Sequence, residues 1–263
     1  MEYVSVRTKE AIAYVTLENT KQHNTLTFQL IEEIDELLQN IAKERKVKVV
    51  VIEGGKKAFS AGHSLQEIQT RSQEDVLKLF QRCYQFMRTI REIPQVVISK
   101  VEGVAVAAGC QLVAISDLAV ASESARFATP GINSGLFCST PAVFLSRNIG
   151  RKKAAELLFT GNLITAEEAF TYGLVNEVVP SDQLDERTEQ LAKDITKQSL
   201  EILEIGKRQF YQQLQMEDFQ ALNYASDVIA ANSKHPDAEE GIQAFFEKRR
   251  PEWPSEKESV KKA

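Results

Sequence analysis

Apolar positions change spacing several times through the first half of the chain, from alternation to a helical period and back. Each change predicts a strand giving way to a helix. Residues 4–7 and 12–17 alternate on either side of Lys9-Glu10, which predicts a β-hairpin. Thr27 is placed to cap a helix to about Lys43, with Leu30, Ile31, Ile34, Leu37, Leu38 and Ile41 on one face. Residues 47–52 form a β-branched run closed by Gly54-Gly55, the pattern of a buried parallel strand. A loop over 59–65 precedes a helix over 74–93 that stops at Pro94. A second buried strand follows at 96–101, then a small-residue turn at 103–109 leading into a helix, a short strand at 118–121 and another around Phe127.

From Thr140 onward the spacing is mainly helical: about 140–148, 151–158, 165–171, 182–197, 199–214, 217–232 and 235–248. This order predicts an α/β fold with right-handed crossovers, followed by a helical region. A composition shift near 195–200 divides a core over 1–198 from a C-terminal helical region over 199–263.

Composition narrows the function. Hydrophobic residues make up 43% and charged residues 26% of 263 residues, enough for a sizeable core. The formal charge of −5 and the lack of a basic stripe argue against nucleic acid as a partner. Lys257, Lys261 and Lys262 are interleaved with Glu256 and Glu258, so the tail reads as a solvated end. Cys83, Cys110 and Cys138 are too few and too irregularly spaced for a disulfide framework or a metal site, which predicts free thiols in a reducing compartment. Residues 1–6 run into a strand pattern without a basic and then apolar leader, and no apolar run reaches membrane-spanning length. The expectation is a cytoplasmic protein without a membrane partner.

Candidate chemistry lies in two loops that each follow a buried strand: Phe59-Ser60-Ala61-Gly62-His63-Ser64-Leu65 and Gly103-Val104-Ala105-Val106-Ala107-Ala108-Gly109-Cys110-Gln111. Small residues let backbone approach a ligand, and a helix start leaves N–H groups free to hold an oxyanion. The bland alternative is close helix–sheet packing. Neither loop fits a phosphate or dinucleotide motif.

Taken together, the loops resemble two segments of the crotonase (enoyl-CoA hydratase/isomerase) family, F-x-A-G-x-D-L and G-x-A-x-G-G-G-x-E. Further resemblances follow in order. They are Asn24-Thr25-Leu26, Ser116-Asp117-Leu118, Ala125 to Pro130, Leu158 to Gly161 with Gly173-Leu174-Val175, and Glu240-Gly241 to Lys248-Arg249. The likeness to the subgroup of enoyl-CoA hydratase domain-containing proteins extends to the Gly-Leu-Phe-Cys-Ser-Thr-Pro run over 135–141. The resemblance implies a spiral of ββα turns and a helical trimerisation region, with homotrimers or hexamers. It implies an acyl-CoA or enoyl-CoA thioester as substrate, with no separate cofactor and no metal. The oxyanion donors would be the amides of His63 and Ala108. CoA would meet Lys21, Ala61, His63 and Leu65, with Phe245 and Lys248 reaching it from the C-terminal region.

The family's two water-activating glutamates fall at Gln111 and Gly131, and its usual loop aspartate at Ser64. Gln is no general base near neutral pH, and Gly has no side chain. Three readings stay open. One is an enoyl-CoA hydratase/isomerase-type lyase with altered chemistry, such as isomerisation or decarboxylation. Another is a non-catalytic acyl-CoA-binding or regulatory subunit, and the third a structural oligomer. Among other candidates, the His63 imidazole is the first titratable suspect. His23 reads as surface, His235 as a helix start, Cys138 and Cys110 as packing, and Asp117 as a loop-capping acceptor between helix and strand.

Overall fold

The computed structural model describes residues 1–261. The hairpin forms as expected: β1 (Val4–Lys9) pairs antiparallel with β2 (Ile12–Leu17). After a 3-10 turn (Thr20–Gln22), α1 (Phe28–Glu44) starts at Thr27, whose hydroxyl accepts from the Leu30 N–H at 3.2 Å. The chain then runs through β3 (Val49–Glu53), β4 (Ala58–Ser60), α2 (Leu65–Thr70), α3 (Gln73–Glu92), β5 (Val96–Val101), β6 (Val104–Val106), α4 (Ala108–Ile115), β7 (Leu118–Ser122) and β8 (Arg126–Ala128).

Three successive passes therefore repeat one unit. Each gives its first strand to one sheet, its second to another, and then a helix. The larger sheet has the order β1-β2-β3-β5-β7-β10 and the smaller β4-β6-β8-β9. From β2 to β10 the larger sheet is parallel, as the crossovers require.

The second half contributes α5 (Ser139–Asn148), α6 (Arg151–Thr160), β9 (Ile164–Thr165), α7 (Ala166–Tyr172), β10 (Glu177–Val179), α8 (Leu184–Thr196), α9 (Leu200–Gln213), α10 (Asp218–Asn232), α11 (Pro236–Glu247) and α12 (Pro254–Lys261). Every residue of β3 is buried because both faces of the sheet are covered. Val50 and Ile52 enter the main core with α1 and α3, while Val49 and Val51 pack with Leu184 and Ala192 of α8.

The tail differs from its expected form as a solvated end. Residues 254–261 form α12, and Glu256 pairs with Lys48, whose ammonium also donates to the Thr196 and Gln198 carbonyls. Lys262 lies outside the described residues. Asp117 also exceeds its expected local role. Its carboxylate accepts from the Val97 N–H and the Lys207 ammonium, both at 2.7 Å, and from the Tyr211 hydroxyl at 2.6 Å. It is a buried hub that ties α9 to the sheet.

Candidate active site

β4 and β6 are neighbours in the smaller sheet, so the two small-residue loops leave it side by side. The first loop is fixed from behind. Ala61 N–H donates to the His23 carbonyl at 3.0 Å, Leu26 N–H to the Gly62 carbonyl at 2.8 Å, and Ser60 Oγ to the Asn24 carbonyl at 2.8 Å. Gly62, at φ +81°, touches the second loop directly. A Cβ there would lie 2.8 Å from Ala107 Cβ and 2.9 Å from Ala108 N. Ser64 then caps α2 through its hydroxyl, which replaces the acceptor that an aspartate would supply.

The second loop turns at Ala107, at φ 50° and ψ −119°, and donates the Ala107 N–H to the Ala128 carbonyl at 2.9 Å. Ala108 opens α4, so its own N–H lies outside the helical ladder. The β-bridge between Leu26 and His63 uses the Leu26 N–H and not that of His63. The structure thus brings the His63 and Ala108 amides into neighbouring loops and leaves both outside the backbone ladders.

An L-residue with Ala107's dihedrals carries about 1–3 kcal/mol of strain. Ala107→Gly removes that strain and adds chain entropy to the unfolded state worth about 0.5–1 kcal/mol. The expected net gain is about 1 kcal/mol, read as a higher urea midpoint. A lower midpoint would contradict the strain.

Gln111 sits one turn after Ala108 and is buried, with its Oε1 unpartnered among the described residues. It faces an open cavity of about 1480 Å³ lined by α3, α4, α5, α9 and the turn into α10. The His63 imidazole does not line this cavity. It packs edge-on against Phe80, ring centroids 4.7 Å apart, with Nε2 shielded and unpartnered among the described residues. Burial lowers its pKa to about 4, so the ring is neutral near pH 7 and poorly suited to take up a proton.

Gly131 lies in a 3-10 turn (Pro130–Ser134) that folds back on itself, its carbonyl accepting from the Leu136 N–H at 2.9 Å. A Cβ at 131 would lie 2.5 Å from the Leu136 carbonyl oxygen and 2.8 Å from Cys138 Sγ. No side chain fits there without moving the turn. The buried Cys138 thiol accepts from the Gly131 N–H, while burial raises its pKa. Cys110 is wholly buried, with its pKa pushed up to about 12, so neither thiol is poised as a nucleophile.

The remaining sequence candidates divide into two groups. Lys21 is exposed in the 3-10 turn that precedes His23, beside the first loop, and Leu65 is exposed at the start of α2. His23 is exposed, and the His235 Nδ1 accepts from the Asp237 N–H at the start of α11, as expected of each. Phe245 and Lys248 lie at the far end of α11, which packs chiefly on α9 and α12. Phe245 lines a separate cavity with Val96, Leu118 and Phe210. One chain alone does not bring these two residues to the loops. Sequence reasoning missed Phe80, Arg91, Arg147 and Tyr211, all of which line the larger cavity. Their helical spacing marks only which face they share, not what they meet.

Paired ββα turns with two small-residue loops at adjacent strand ends define a class, and comparison agrees. The chain matches the family described as enoyl-CoA hydratase/isomerase over residues 7–256. It is 41% identical to the rat mitochondrial enoyl-CoA hydratase domain-containing protein 3 over 250 residues, covering 95% of this chain and 83% of that one. It superposes on the crystal structure of the human domain-containing protein 3 with a TM-score of 0.93 at 41% identity, covering 95% of this chain and all of that one. It superposes on an enoyl-CoA hydratase of Mycobacterium smegmatis with a TM-score of 0.92 at 42% identity, covering 95% and 98%.

The chain belongs to the enoyl-CoA hydratase/isomerase, or crotonase, family, and its fold is the crotonase spiral with C-terminal helices. The cytoplasmic expectation is overturned, because the rat, mouse and human relatives are mitochondrial proteins. Three buried, unpaired thiols do not distinguish one compartment from another.

Proposed function

We propose that this protein binds an acyl-CoA thioester and polarises its carbonyl between the amides of His63 and Ala108. The observation supporting this is the contact at Gly62, which sets the two loops against each other with both amides uncommitted. A thioester enolate is a developing anion, and preorganised N–H groups stabilise it without titrating. Lys21 and the backbone of Ala61, His63 and Leu65 would hold CoA, which is part of the substrate, so no separate cofactor is needed. Residues 1–198 would form this acyl-CoA core, and 199–263 the oligomerisation region. Phe219, Leu222 and Ile229 are exposed on α10, as a homotrimer or hexamer interface requires. In such an assembly, Phe245 and Lys248 would reach the CoA of a neighbouring subunit.

Gln111 and Gly131 stand at the positions of the family's glutamates, and the neutral His63 ring offers no substitute. The chemistry is therefore limited to steps that need enolate stabilisation alone, such as decarboxylation; an isomerisation would need a proton carrier that these positions lack. The closed turn at Gly131 also favours a second reading, acyl-CoA binding without turnover.

Crotonyl-CoA binding and hydration, measured at high protein concentration beside Gln111→Glu, tests this. Gln111→Glu is the clean variant, since Gly131→Glu must break its turn. The parent is expected to bind the thioester with no measurable hydration. Gln111→Glu is expected to raise hydration at least about 100-fold, the low end of what a positioned acid or base supplies. Efficient hydration by the parent would overturn the missing water-activating pair, and failure of any acyl-CoA to bind would overturn the site.

A further inference from the structure

The larger cavity is unusual in its charge. Five basic and three acidic side chains line it, and most neutralise one another locally. Arg88 pairs with Glu92 at 2.6 Å, Lys207 with Asp117 at 2.7 Å and Arg208 with Glu204 at 2.9 Å. Arg91 and Arg147 have no carboxylate partner among the described residues.

Arg91 is the more confined of the two. Its guanidinium lies 3.6 Å from the centroid of the Tyr211 ring and 5.6 Å from that of Phe144, and its Nε is buried without a hydrogen-bond partner. Asp117 is the carboxylate whose charge reaches it, but that carboxylate accepts from Lys207, Tyr211 and the Val97 N–H and makes no direct contact with the guanidinium. Burial lowers the Arg91 pKa, but a guanidinium stays charged at any physiological pH. Arg147, exposed near the end of α5, donates only to the Val143 carbonyl of its own helix at 3.1 Å. A partly desolvated, planar cation with no carboxylate in direct contact is a binding element for one, which it takes in a bidentate geometry. Gln111, one turn after Ala108 in α4, also lines the cavity and so puts the helix that carries the Ala108 amide into its wall.

We propose that this cavity holds an acyl group ending in a carboxylate, so that the preferred ligands are mono-CoA thioesters of short dicarboxylic acids. Arg91 is the counter-ion of the distal carboxylate, and Arg147 adds positive potential beside it. The Tyr211 and Phe144 rings hold the guanidinium flat against the cavity wall, and Phe80 and Met87 line the path of the methylenes. The inference rests on the reading of the His63 and Ala108 loops as the thioester site.

The test is a set of dissociation constants for succinyl-, glutaryl- and adipyl-CoA beside butyryl-, valeryl- and hexanoyl-CoA, measured calorimetrically on the full chain. The best carboxylate-ended thioester is expected to bind at least about tenfold more tightly than its monoacyl counterpart. Raised salt should weaken that preference. Arg91→Met, which keeps the apolar stem, is expected to bring the ratio to about one, and Arg147→Gln to reduce it in part. If monoacyl-CoA binds and no carboxylate preference exists in the parent, the proposal is overturned and the thioester site stands. A preference that survives Arg91→Met overturns it too. If none of the six thioesters binds, the thioester reading itself fails.

Discussion

Gly62→Ala is expected to lower acyl-CoA binding at least about tenfold and to cost about 3 kcal/mol of stability. Two independent effects add up to the second figure. At φ +81° an alanine carries roughly 1–2 kcal/mol of left-handed strain. Its Cβ would also stand 2.8 Å from Ala107 Cβ, and 2.9 Å from both Ala108 N and the Val106 carbonyl. None of these is the movable end of a long side chain, so the loops must part, at about 1–3 kcal/mol for overpacking. Parting the groups that must converge on one oxygen forfeits two hydrogen bonds to the bound thioester, together about 1–3 kcal/mol or roughly tenfold and upward in affinity. Gly135→Ala is the internal control. Gly135 has a similar φ of +73° but nothing within 4 Å of its missing Cβ, so strain alone should appear there, without loss of binding. Urea denaturation and calorimetric titration of both variants separate these effects. A folded Gly62→Ala protein that binds crotonyl-CoA like the parent would remove the two-loop site from consideration.

The sequence carries the first of these loops more fully than the second half of the cavity, and the reason is distance along the chain. The Thr27 cap, the helical face from Leu30 to Ile41 and the buried run of β3 are local patterns, and each forms as its spacing predicts. The strands of two or three residues, β4, β6, β8, β9 and β10, are too short to show a period; of these only β8 is expected from the sequence, around Phe127, and pairing to a neighbour decides the rest. The missing carboxylates at 111 and 131 are plain in the sequence. That position 131 admits no side chain is not, because the obstacle is the Leu136 carbonyl and Cys138 Sγ brought back by the turn. Arg91 stacks on Tyr211, and Asp117 meets Lys207. In sequence, Arg91 and Lys207 look like ordinary surface charges on amphipathic helices, and Asp117 like a local loop cap. Only the docking of α9 on α3 turns them into cavity walls and a buried hub.

That hub underlies the second large effect: Asp117→Ala and Lys207→Met are each expected to destabilise the protein by about 3–5 kcal/mol, the usual cost of stranding half of a buried pair. The Lys207 side chain is only 6% exposed, and its ammonium spends its other two donors on the Ile90 and Gln95 carbonyls at 2.8 Å each. Burial lowers its pKa and Asp117 opposes that, so losing the carboxylate leaves an ammonium with carbonyls but no counter-ion. Losing the ammonium instead leaves Asp117 with the Val97 N–H and the Tyr211 hydroxyl, a partial compensation that sets Lys207→Met toward the milder end. The double variant should cost less than the sum by about 1–3 kcal/mol, because neither charge is then stranded. The damage has a location as well as a size. Ile90 and Gln95 belong to the end of α3 and the segment that follows it, so the pair fastens α9 to that junction, and amide exchange should rise first across 200–213. Tyr211 loses its acceptor in Asp117→Ala, and with it the fixed ring on which Arg91 lies. The preference for a carboxylate-ended thioester should therefore fall in Asp117→Ala although Asp117 itself repels such a ligand. A charge-only view of the cavity predicts the opposite sign, which makes this variant the sharper test of whether the Tyr211 ring positions the guanidinium.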